Sequence, residues 1–325
     1  MRQTIYIYGH TIALFLTSCL ILIAGCSSRP TAANTMQVKP QTQAQTSSQP
    51  NLDQQRQSAE KQVRPEVEKE RQSAKDQADQ SLDQDAIAAI DQTRSAIDAI
   101  AANNKSDALA AIEAATGKIN ILLARNAAAA LTPVASEVQV VDAAPVDEQA
   151  IQTLNRGLAA AVKAKDYPTA RFILYSLTSE IRVRIYNLPL ATYPTALKDA
   201  ARLLDQGQND QASEVLLTAL NTLAIIERIT PIPVVLGRAA IAAAQEQSQK
   251  DKNAAQTLLT TATNQLQRCQ DLGYAADALE YAALKTDIAQ LEKDLKGNGD
   301  TASLFSKLKD DLSPLFNRQS NQERH

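Results

Sequence analysis

Tryptophan is missing from this 325-residue chain, and its two histidines, His10 and His325, stand near its ends. No imidazole is left in the interior for general-base work, a Ser–His dyad or a His-based metal site, and neither a metal nor a cofactor is expected. Four Phe and eight Tyr bring the aromatics to only 4%, which thins the means of stacking bases or sugars. With nine glycines in all, no Gly-rich phosphate loop can be traced. Positive charge is not in excess either: 33 Lys and Arg face 36 Asp and Glu, for a net charge of −3. A chain without a basic stripe has no means of displacing phosphate counterions, so no nucleic-acid partner is expected. Long hydrophobic runs are also lacking. The apolar stretch Ile12 to Ala24 is shorter than a membrane span and suits the core of a signal peptide.

What is present begins with Leu22-Ile23-Ala24-Gly25-Cys26, preceded by Arg2 and that apolar stretch. This is the pattern of a bacterial lipoprotein signal. It predicts cleavage before Cys26 and acylation of its sulfur, which ties the protein to a membrane by lipid. Ser27 follows, with no Asp to hold the protein at the inner membrane, so the expected place is the outer membrane facing the periplasm. Cys19 would leave with the signal. Cys269 is then the last free thiol, a disulfide within one chain is impossible, and a half-buried structural role is expected of it.

Composition divides the remainder. Residues 1–25 read as the signal, 26–84 as a polar tether, 85–297 as a helical domain and 298–325 as a C-terminal amphipathic helix and tail. Within the tether, 27–52 carry Pro30, Pro40 and Pro50 among Gln and Thr, while 53–82 mix charges densely, consistent with a solvated helix after Pro65 that has little apolar face for docking. In the domain, alanine dominates and apolar residues recur at helical spacing, so the fold class is all-α. An apolar triplet at offsets 0, 4 and 11 occurs four times: Ala108, Ile112 and Ile119; Ala170, Leu174 and Ile181; Ala212, Leu216 and Leu223; Ala255, Leu259 and Leu266. Each follows a polar turn, and the pattern predicts four helical hairpins stacked in a bundle or short solenoid. Leu131 to Pro145 interrupts the series. Its Val134, Ser136, Val138 and Val140, with Arg182-Val183-Arg184-Ile185-Tyr186 further on, predict a small two-stranded β-ribbon. Two proline-marked links, Asn187 to Pro194 and Thr230 to Val234, are each expected to break a helix and, with Pro near an N-terminus, to restart the next.

Carboxylates are the only supply for an enzyme. Glu180, Glu214, Glu227 and Asp199 lie near the apolar faces, but pairing with Arg171, Arg182, Arg184, Arg228 or Lys198 is the expected use, and the chain reads as a non-enzyme. The corner Tyr186, Asn187, Pro189, Tyr193 and Pro194 is a candidate for either a ligand pocket or a packing core, with packing favoured. Ser303 to Leu312 is amphipathic through Leu304, Phe305, Leu308 and Leu312, and is expected to pack on the domain or on another subunit.

The run Asn187 to Pro194, with Ala196-Leu197-Lys198 and Leu220-Asn221-Thr222-Leu223 after it, closely resembles the YfdX family of bacterial envelope proteins. Ala115-Thr116-Gly117-Lys118, Leu123-Ala124-Arg125, Thr230-Pro231-Ile232-Pro233-Val234 and Leu272-Gly273-Tyr274 fit it too. The resemblance covers roughly Asp85 to the end. It implies a helical, exported, non-catalytic protein linked to envelope stress, including heat and acid, with protein partners or copies of itself and a tendency to bind drugs. The family offers no accepted site residues to carry over. A lipoprotein signal sets this chain apart from members with an ordinary secretory signal. The resulting expectation is a lipid-anchored stress protein acting through protein–protein contacts or self-association, with a periplasmic binder of apolar ligands as the alternative.

Overall fold

The structure, a computed structural model, describes residues 49–125, 130–274, 278–297 and 301–316. Cys26 and the signal lie outside the described residues. Three helical hairpins are each followed by a strand. The first is α3 (Gln84–Ala101) with α4 (Lys105–Arg125), then β1 (Leu131–Asp142). The second is α5 (Glu148–Lys163) with α6 (Tyr167–Ser176), then β2 (Ser179–Pro189). The third is α7 (Tyr193–Asp205) with α8 (Asn209–Asn221), then β3 (Ala224–Pro231). A fourth hairpin, α9 (Ile232–Gln247) with α10 (Lys252–Asp271), leads to α11 (Ala278–Gly297) and α12 (Ala302–Phe316). Helix dominates, as the composition predicts.

The turns explain the repeat. Asn103, Lys165 and Gly207 take positive φ (55°, 59° and 72°), each five residues before the Ala that opens its triplet. The next amide reaches back to the last turn of the preceding helix, as Asn104 N to Ala99 O, Asp166 N to Ala161 O and Gln208 N to Leu203 O, all at 2.9 Å. This is the Schellman arrangement, which satisfies carbonyls that a helix end leaves bare. Asn104 and Asp166 then accept from Asp107 N and Thr169 N and cap the following helix. Pro194 and Pro233 stand in the first turns of α7 and α9, as their fixed φ favours.

The sheet has the order β1-β2-β3 and is antiparallel throughout. The expected pairing of the first two strands is present, with Val138 opposite Val183. The third strand corrects the two-stranded ribbon. Ala224 to Pro231 pairs with β2, Glu227 opposite Arg184, where no strand was expected and only the link from Thr230 onward was marked. Antiparallel order also sets how the hairpins stack. One end of the sheet joins the first and third hairpins, the other the second and fourth. α3 packs on α8 and α4 on α7 around Ile119, Leu197, Leu204 and Leu216, all fully buried. The hairpins therefore alternate between two ends and do not follow one another along a single axis.

Two members of the predicted triplets fall outside their helices. Ile181 sits on β2 and Leu223 follows α8, because both hairpins end a turn earlier than the pattern suggests. Leu174 stays on α6 but is 55% exposed, whereas its counterparts Ile112, Leu216 and Leu259 are buried.

The polar tether is also corrected from Gln49 onward. α1 (Gln49–Val63) and α2 (Pro65–Gln80) are helices docked, through Ala59, Val63 and Val67, on a second core built around Leu236, Ile241 and Leu266 of the fourth hairpin, the first being that of the first and third hairpins. The apolar stripe is narrow, and polar bonds supplement it. Ser136 donates to Asp79 (2.6 Å), Arg238 pairs with Glu70 (2.5 Å) and Arg64 pairs with Asp142. A charged sequence thus forms an arm, because its few apolar residues share one face and its charges find partners. α12 packs on α9 and α11, burying Phe305, Leu308 and Leu312 within this domain. The folded unit extends beyond the 85–297 expected for it, at both ends.

Candidate functional site

The corner after β2 is the most specific part of the sequence, and it is packed. Tyr193 is 1% exposed in the first core, and its hydroxyl donates to Thr93 Oγ1 at 2.8 Å. Thr93 in turn donates to Ala89 O at 2.8 Å. Burial raises the Tyr193 hydroxyl above its ordinary pKa, a cost that the bond to Thr93 partly offsets. Asn187 is buried and donates from Nδ2 to Ile185 O and to Ala224 O, so it ties β2 to β3. Pro189 ends β2, and Pro194 opens α7. Tyr186 leans on the first core and donates to Glu137 Oε2 at 3.2 Å. The corner reverses the chain between sheet and hairpin and spends its polar groups in doing so.

Beside it, one sheet face carries a ladder of charge. Arg184 Nε donates to Glu227 Oε2 at 2.7 Å and approaches Glu137 at 3.7 Å. Arg182 Nε donates to Glu180 Oε1 at 3.0 Å and reaches Glu227 at 3.6 Å. Two of the four candidate carboxylates, Glu180 and Glu227, thus meet through Arg182. Asp199 pairs with Arg202 along α7, and Glu214 is an exposed residue of α8. Arginine across each strand pair makes this a cross-strand lock, in which opposite charges facing one another contribute to pairing.

The ladder continues into a cluster that sequence reasoning missed. Tyr274 Oη accepts from Ser179 N (2.8 Å) and donates to Glu180 Oε2 (2.9 Å). Burial raises the Tyr274 hydroxyl strongly, and the Glu180 charge beside it adds to this. Ser179 Oγ donates to Asp142 Oδ1 (2.7 Å), and Arg64, between α1 and α2, reaches the other oxygen of that carboxylate. Arg268 of α10 lies behind, 6% exposed, and donates to Ala144 O and Pro145 O, 3.7 Å from Asp142. Burial alone would raise the Asp142 carboxyl. Bonds from Ser179 and Arg64, with the Arg64 and Arg268 charges, together hold it below the ordinary value. These partners come from the arm, the end of β1 and the link after it, the start of β2, and α10 with the turn after it, so no local spacing announces them. Of its members, Tyr274 was visible inside a family-like tripeptide and Glu180 as a candidate carboxylate.

Cys269, next to Arg268, is fully buried against Tyr281, 3.1 Å from its hydroxyl. Desolvation pushes its thiol up to about 11, which keeps it protonated and inert rather than half-buried and merely unreactive. Among the described residues, no group of His, Cys, Asp and Glu is placed to hold a metal, and no helix is long and apolar enough to cross a membrane.

Residues 89–229 match a family model described as YfdX protein. The match covers less than half of the chain and ties that region to the YfdX family. The matched region runs from α3 into β3, so it coincides with the three hairpin-and-strand units and contains the corner and the ladder. The arm, the fourth hairpin, α11 and α12 lie beyond it. No curated protein matches the chain. A solved structure of Salmonella Typhi YfdX is similar at 12% identity over 46% of this chain and 91% of that one, with a TM-score of 0.31, a level too low to inform this fold.

Proposed function

We propose that this YfdX-family chain is a non-catalytic, lipid-anchored protein of the bacterial cell envelope, protecting against stress through contacts with protein partners or its own copies. The observation that carries the proposal is Leu22-Ile23-Ala24-Gly25-Cys26, whose only evident chemistry is acylation by other enzymes. The inventory supports it, since an interior without histidine, with Glu180 and Glu227 engaged by arginines, lacks poised acid–base groups. Partners would meet the start of β3. That strand pairs with β2 alone among the described residues, and Ile225 and Ile226 are 58% and 44% exposed on its opposite faces. A strand of this kind can accept another chain by main-chain pairing. The alternative of an apolar ligand at Tyr186 and Tyr193 has little support, because Tyr193 is closed in and its hydroxyl is spent.

Fractionation of cells expressing the full chain and Cys26→Ser tests the anchor. The wild-type chain is expected in the membrane fraction and the variant in the soluble one, both equally able to slow aggregation of a heated model protein. Cys26→Ser retained in the membrane would sink the anchor. Failure of both chains to slow aggregation would sink the protective role.

A further inference from the structure

The second hairpin is built differently from its sisters. Inside, α6 buries Ala170, Ile173 and Leu177 against α5 in a core of few side chains. Its outer face should then be polar, as on any helix at a protein surface. It is instead aromatic. At 3.6 residues per turn Phe172 and Tyr175 point away from that core, 70% and 62% exposed, and Tyr167 and Leu174 flank them at 61% and 55%. Leu174 occupies the repeat position that Ile112, Leu216 and Leu259 bury elsewhere in the molecule. A scattered apolar residue on a surface needs no explanation, but a helix apolar on both sides does.

Charge says what covers it. Between residues 149 and 179 Asp166 is the single acid, and its carboxylate caps α6 at Thr169. Against it stand Arg156, Lys163, Lys165 and Arg171, in a chain whose net charge is −3. Lys163, Lys165 and Arg171 are exposed beside the aromatic face and enter no ion pair among the described residues. Exposed aromatics ringed by unpaired cations are the composition of a helix lying in a bilayer interface, where rings enter the headgroup zone and cations meet phosphate. A second copy fits less well. A two-fold contact through this face would set Arg171 and the lysines against their own images, and protein interfaces exclude such unpaired charge from their centres.

We infer that the α5–α6 hairpin is a docking surface for an anionic lipid bilayer, with Phe172 and Tyr175 inserted and Lys163, Lys165 and Arg171 on the headgroups. It would hold the folded domain against the membrane, in addition to whatever tethers the N-terminus. It takes only the envelope location from the reading above, and its test is independent of Cys26.

Because the chain has no tryptophan, Phe172→Trp in the full chain installs a single reporter at an exposed position, and Ile226→Trp on β3 serves as the control. Vesicles of phosphatidylglycerol and phosphatidylethanolamine are expected to shift the Phe172→Trp emission to the blue and to leave Ile226→Trp unmoved. Neutral phosphatidylcholine vesicles should do neither. Arg171→Glu in the reporter chain should lower the bound fraction several-fold, and so should salt at a concentration that screens within a few ångströms. An unmoved Phe172→Trp on anionic vesicles overturns the inference even if the chain is anchored elsewhere. An equal shift on neutral vesicles, or at both reporters, overturns it as non-specific adsorption. A shift without lipid that grows with protein concentration overturns it in favour of a second copy.

Discussion

Tyr193 shows how much one side chain does in the first core. It joins α7 to α3, its hydroxyl donating a hydrogen bond to Thr93, which donates one in turn to the Ala89 carbonyl. Tyr193→Phe keeps the ring and removes one buried bond, at an expected cost of about 1 kcal/mol. Tyr193→Ala also opens a cavity and should cost roughly 3–5 kcal/mol. Urea midpoints of the two variants check the order. A Phe variant as unstable as the Ala variant would mean that the hydroxyl, not the ring, holds the corner. The residue was legible as one member of a corner with two possible uses. Its partner Thr93, 100 residues earlier in the chain, was not, because nothing local joins them.

At the scale of elements, the hairpin turn and the strand decide most of the fold. Gly207 holds φ +72° with open space around the position of a Cβ, so Gly207→Ala meets no clash and pays only for backbone conformation, about 1 kcal/mol destabilising. Gly117 lies in α4 with equal room and ordinary helical backbone. Gly117→Ala should therefore stabilise by up to about 1 kcal/mol. Opposite shifts in thermal midpoint are the expected result, and shifts of the same sign would refute the turn geometry. The helical hairpins and two strands were readable from periodicity. The strand β3 was not, because Ile225-Ile226-Glu227-Arg228-Ile229 has no strict alternation and a proline pair follows at once. Pairing with β2 overrode a weak local signal. Similarly, the arm residues 49–80 look solvated by composition, and only their contacts with α9, α10 and the sheet make them part of the domain.

The whole molecule is joined at Asp142. This carboxylate gathers Arg64 from the arm, Ser179 from β2 and Arg268 from the fourth hairpin. Its native pKa lies below the ordinary 3.8, so its contribution to stability is complete above that value and is lost as pH falls through the lower native one. Denaturation midpoints between neutral pH and about pH 3 should therefore fall for the wild-type chain. Asp142→Asn should start lower by on the order of 2 kcal/mol, since Arg268 loses a buried counter-charge, and then fall less steeply with acid. Parallel pH profiles for the two chains would show that the cluster does not couple arm, sheet and hairpin.

By itself the sequence determined the features that depend on neighbours along the chain: helical class, hairpin turns, the proline helix starts, the resemblance to the YfdX family and the chemistry expected of Cys26. Each follows from spacing or from a short motif, so it needs no knowledge of what lies across the fold. Only the tertiary structure decided which hairpins stack together, that a third strand closes the sheet, that a charged arm docks, and that Arg268 and Asp142 meet. The physical reason is common to these. Antiparallel pairing sends successive hairpins to opposite ends, and buried charges take their partners from segments that the chain itself holds far apart.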